Sequence, residues 1–231
     1  MAGDEEHLTV AERGSEHGAT PERATVFSSE RAKAFIDAVV AIAMTLLILP
    51  LMESISDAAD DDRSSAHWFA EHQWQLVSFV LSFAIIAMFW INHHRMFARV
   101  DRVTTGLLWV SAAWLLSIVW LPVATAMTGR MRDDDTLAQT VYIGSMILVC
   151  LLTLTTRLYL RRHGELHGMP ERDLREGAAA DLAMAALFAL ALVVALLVPV
   201  IGYFALFLML LTGWVQRLVA RLLHADSAPT R

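Results

Sequence analysis

Six apolar segments, each close to the length of a bilayer crossing, constrain this chain more than any motif in it. They run over roughly 34–53, 74–92, 104–127, 137–160, 178–198 and 200–222, and a membrane-spanning helix needs ~20 such residues. Unpaired backbone amides and carbonyls are not tolerated in lipid, so runs of this length become helices. The chain is 56% hydrophobic with a mean hydropathy of +0.50, too apolar for an ordinary soluble domain. The expectation is an all-α integral membrane protein with six transmembrane helices.

Segments five and six are separated only by Val198, Pro199, Val200, Ile201 and Gly202. Proline and glycine make a tight hairpin there; a single helix would be ~65 Å long, about twice the hydrocarbon thickness. Lys and Arg then set the orientation, because basic residues in short loops stay cytoplasmic. Of the 18, 15 fall in the N-terminal stretch, the loops after segments two and four, and the C-terminal end. Only Arg63, Arg130 and Arg132 lie opposite, beside the acidic runs 60–62 and 133–135. Both termini are therefore expected in the cytoplasm.

Residues 1–29 are polar, with no signal-peptide pattern, and read as a disordered cytosolic tail. Residues 30–223 form the membrane domain, and 224–231 a second short cytosolic tail. Cys150 is the only cysteine, so one chain can build neither a disulfide nor a thiolate metal cluster.

The first span carries Asp37 about one turn inside its cytoplasmic start, where a carboxylate needs a partner. On the same helix Phe35, Ala38, Ile42, Thr45 and Leu49 recur at spacings of three and four, with Leu46 at the border. Asp37 lies about 140° around the helix from Ile42 and should face neighbouring helices rather than this stripe. The stripe itself could pack on another span. The end of the second span offers partners for the acid: Trp90, Asn92, His93, His94 and Arg95, on the same side as Arg31. They form either a specific network around Asp37 or a simple interfacial belt of rings and basic groups.

Enzyme signals are weak. His93 and His94 point about 100° apart and cannot share a metal from a regular helix. His163 and His167 flank Glu165, which is misplaced for a zincin motif, and Gly164 and Gly168 argue against a helix there. The fragment Val200, Ile201, Gly202, Tyr203 is not a carbonyl filter of the TVGYG type, because almost nothing separates the two flanking spans. No catalytic residue, metal, cofactor or nucleic-acid partner is expected.

Arg31, Phe35, Asp37 and the run from Ala38 to Leu49 resemble the arginine, phenylalanine, serine, aspartate signature and first helix of the transmembrane protein 175 family. Ser78, Phe79, Trp90, His93, His94 and Phe97 are similar to the family's second span, so the resemblance is specific over about 31–97. It implies a cation channel favouring potassium, which is the permeant species alongside other monovalent cations. Single-repeat members are prokaryotic, which implies the plasma membrane of a prokaryote, and the one repeat in this chain implies a homotetramer around a central pore. The first helices would line that pore, with Ile42 as the narrowest hydrophobic layer, Leu49 a further layer, Leu46 at the edge and Thr45 a hydroxyl ring between. The resemblance also assigns Arg31, Asp37 and a helix-two histidine to a polar network fastening the pore helix. Here the sequence departs from the pattern: Ile36 stands where the family has serine, about 120° from Ile42.

The competing class is a proton-coupled secondary transporter, with Asp37 and a histidine of the second span relaying the proton.

Overall fold

In the computed structural model, residues 27–60, 64–130 and 135–197 are described. The sixth apolar segment, the 198–202 hairpin and both tails apart from residues 27–29 lie outside them. The described residues begin with β1 (Phe27–Ser28). It leads directly into α1 (Ser29–Leu46), and α2 (Leu49–Asp60) follows after a two-residue turn. The short α3 (Ser65–Glu71) lies at the far end of the molecule and is capped by Ser64, whose side-chain oxygen accepts from the His67 amide. Three long helices come next: α4 (Gln73–Phe97), α5 (Thr105–Arg130) and α6 (Thr136–Arg162), with β2 (Arg102–Val103) between α4 and α5. A 3₁₀ turn at Gly164–Leu166 connects to α7 (Glu171–Leu197).

Five spans among the described residues are long and apolar enough to cross a membrane, with α1 and α2 counted together. The chain is an all-α, multi-pass integral membrane protein. Helices α4 to α7 have 25 to 27 residues each, about 40 Å of helix, so their ends extend beyond the expected apolar segments. Arg157, counted from sequence with the loop after the fourth segment, lies inside α6 and is buried.

Helix α5 is the hub, packing on α1, α4 and α6, while α7 lies outside and packs chiefly on α6. Trp114, Ile118 and Leu121 of α5, Tyr142 and Met146 of α6, and Phe188 of α7 are fully buried. Several hydroxyls in this layer are satisfied locally, as an apolar surrounding demands. Ser111, Thr125, Thr153 and Thr156 each donate to the carbonyl four residues earlier. The Trp114 indole donates to Thr153 at 3.0 Å, and Ser82 joins Tyr142 and Thr125 at 2.8 and 3.0 Å.

At one end of the bundle the basic-rich segments meet. Phe27 and Ser28 pair with Val103 and Arg102, and Val100 bridges to His167. The start of α1, the α4–α5 connection and the α6–α7 connection therefore share one end, in keeping with the parity read from Lys and Arg.

Candidate functional site

The first span is not one continuous helix. Pro50 has no amide hydrogen to give the Leu46 carbonyl, so the ladder fails there. The Ile48 amide turns back to the Thr45 carbonyl at 3.3 Å, and helix resumes at Leu49 with Pro50 in the first turn, where proline is tolerated. The break falls between Leu46 and Leu49, inside the stripe singled out from sequence.

The two sides of α1 differ sharply. Ile36, Val40, Ala43 and Leu47 are buried against α4 and α5. On the opposite side Phe35, Ala38, Ile42, Thr45 and Leu49 are exposed, Phe35 at 64% and Ile42 at 59%, with Leu46 partly so at 37%. Among the described residues much of this stripe is left uncovered, and the first span is the least buried of the five. The Thr45 hydroxyl donates to the Ile42 carbonyl at 2.7 Å; its hydrogen is committed to the backbone, and what it offers outward is oxygen lone pairs. Ile36, in the place of the family's serine, is 4% exposed and packs into the core instead of bonding.

Asp37 sits at the edge of the buried face, where two side chains of α4 reach it. The Trp90 indole donates to one carboxylate oxygen at 2.7 Å, and the His94 Nδ1 lies 3.2 Å from the other. Trp90 and His94 are one turn apart, so both emerge on the α1 side of α4. The remaining residues expected in this network lie elsewhere. Arg31, exposed in the first turn of α1, forms no ion pair with the described residues. His93 is buried between the Phe97 ring at 4.4 Å and the Trp114 ring at 3.9 Å, and its Nε2 has no partner among the described residues. Asn92 points toward α7.

There it meets a second polar centre that sequence reasoning missed. The Asn92 amide donates to Asp181 at 3.2 Å, and the Arg157 Nε donates to the other carboxylate oxygen at 2.7 Å. The ion pair is 9% and 6% exposed. Asp181 stands near the start of the fifth apolar segment, so the rule that singles out Asp37 marks it equally. Gly177, one turn before it, lets the Arg157 guanidinium lie against the α7 backbone, where any Cβ would collide with it.

The histidines of the α6–α7 turn are both engaged with backbone. His163 Nδ1 contacts the Tyr159 carbonyl at 2.9 Å, and His167 bridges the Leu160 carbonyl and the Met169 amide, each at 3.0 Å.

Comparison with known proteins converges on one family. The family model described as endosomal/lysosomal potassium channel TMEM175 matches residues 31–122, the part that carries α1, α4 and most of α5. The chain is 34% identical over 143 residues to a potassium channel of Streptomyces collinus, covering 60% of this chain and 67% of that one. It is 32% identical over 116 residues to the bovine endosomal/lysosomal proton channel TMEM175, covering 46% of this chain and 24% of the bovine protein. In fold it is similar to the crystal structure of a lysosomal potassium-selective channel TMEM175 homologue from Chamaesiphon minutus. That match has a TM-score of 0.65 at 20% identity and covers 81% of this chain and 97% of the other.

Proposed function

The chain belongs to the TMEM175 family, a family of ion channels, and from that premise we propose that it is a potassium-selective cation channel whose pore is lined by α1 and α2 of four identical subunits. The observation that carries this reading is the exposed stripe of α1. A helix that buries Ile36, Val40, Ala43 and Leu47 while leaving Ile42, Thr45 and Leu49 exposed among the described residues can present that second face to a pore. In a fourfold assembly the face turns to the axis. Ile42 and Leu49 then form apolar rings that exclude water when closed and conduct when widened, without a carbonyl filter. Thr45 lies between them and presents acceptor oxygens only, a lining that suits a partly dehydrated cation and disfavours an anion. Asp37 and the helix-two residues Trp90 and His94 anchor the pore helix at its cytoplasmic end. The site of action is the plasma membrane of a prokaryote, with both termini in the cytoplasm.

Purified protein in liposomes should carry potassium down its gradient without a proton gradient. Ile42→Asn should raise that flux on the order of tenfold and reduce the preference for potassium over sodium, because a polar ring holds water in the neck. Unchanged flux would remove α1 from the pore. Strict dependence on a proton gradient would replace the channel with a proton-coupled transporter.

A further inference from the structure

We infer that the buried Arg157–Asp181 pair is a remote positioning element for the pore helix, acting on α1 through Asn92 and the cytoplasmic end of α4. This rests on the reading that α1 lines the pore. The geometry is a relay across four helices. Arg157 on α6 binds Asp181 on α7 at 2.7 Å, and Asp181 accepts from Asn92 on α4 at 3.2 Å. Two residues to either side of Asn92, Trp90 and His94 hold Asp37 on α1.

Three features give this relay more than a packing role. First, α7 packs chiefly on α6 and meets α4 at few places, where the Asn92–Asp181 bond stands beside the Phe89–Phe188 ring contact. Second, residues 90 to 94 cover little more than one helical turn, so displacing Asn92 displaces the two groups that hold Asp37. A rigid helical turn with partners on both sides transmits position rather than absorbing it. Third, the pair is a costly way to join α6 to α7, since apolar side chains of similar volume would pack there at least as well. What an apolar substitute would not supply is a fixed acceptor for Asn92.

The test is potassium and sodium flux of the full chain in liposomes, with assembly checked by gel filtration. Single loss of Arg157 or Asp181 leaves a buried unpaired charge and risks misfolding. The informative variants are therefore Asn92→Leu and the double Arg157→Met/Asp181→Leu, in which the pair is replaced by apolar volume. Both should assemble as wild type and change the potassium flux by about fivefold, the size expected from losing one buried hydrogen bond. Adding Trp90→Phe to Asn92→Leu should produce little further change, since both act on one relay. Flux within twofold of wild type for both informative variants, or a Trp90→Phe effect that simply multiplies with theirs, overturns the inference. Ile42→Asn, measured alongside, separates the two failures: a normal response there with silent Asn92 and pair variants sinks the relay alone, and no response sinks the pore-helix reading and the relay with it.

Discussion

The two intramembrane carboxylates, Asp37 and Asp181, are treated differently by the fold. Asp181 is 6% exposed and faces a guanidinium and an amide, with Gly177 making room for the arginine. Asp37 keeps a third of its side-chain surface open, and its partners are an indole and a half-exposed imidazole that is charged only when protonated. The first acid is closed off between α6, α7 and α4. The second joins α4 to α1, whose far face is exposed among the described residues. A full countercharge holds α6 to α7, and a weaker, wetter set of contacts joins α4 to α1.

The comparison breaks most visibly if the buried pair is halved. Arg157→Ala leaves Asp181 without its countercharge in a site closed to water and should cost about 3–5 kcal/mol. Thermal unfolding in detergent should show a large drop in midpoint or failure to assemble; a midpoint near wild type would mean that water reaches Asp181. Gly177→Ala probes the same centre more gently. Its methyl falls where the Arg157 guanidinium lies, so the arginine must shift, at about 1–3 kcal/mol. That loss should vanish in the Arg157→Met/Asp181→Leu background, where nothing large crosses the glycine. A loss that persists there would assign the effect to the α7 backbone and not to the arginine.

Much of this arrangement is legible in the sequence because lipid leaves few choices. Apolar segments two to five mark α4 to α7, although polar turns at the helix ends hide the true lengths, as with α7 starting at Glu171. The α1 stripe follows from a three-and-four spacing, and its exposed state matches that periodicity residue for residue from Phe35 to Thr45. Two things could not be read that way. The break at Leu47 and Ile48 depends on whether Pro50 ends a helix or opens one, and apolar spacing alone does not distinguish these. The partners of the acids depend on helix rotation. Asn92, His93 and His94 are consecutive, so they point to α7, to the aromatic layer of α5 and to α1 respectively. A list of polar residues at a helix end does not contain that division until the neighbouring helices are in place.

The smallest effect tests the other side of the comparison. Asp37→Asn keeps an oxygen that can accept from the Trp90 indole and removes the charge that holds His94. The His94 contact is half open to solvent, where an ion pair contributes about 0–1 kcal/mol, and the indole bond loses only its charge-assisted part. The unfolding midpoint should therefore fall far less than with Arg157→Ala. If α1 lines the pore as proposed, the potassium flux should still change, because the Asp37 contacts on α1 are loosened while the body of the protein is not. A loss of stability equal to that of Arg157→Ala would show that Asp37 is a structural core charge like Asp181. The contrast between a fixed centre and a yielding one would then be lost.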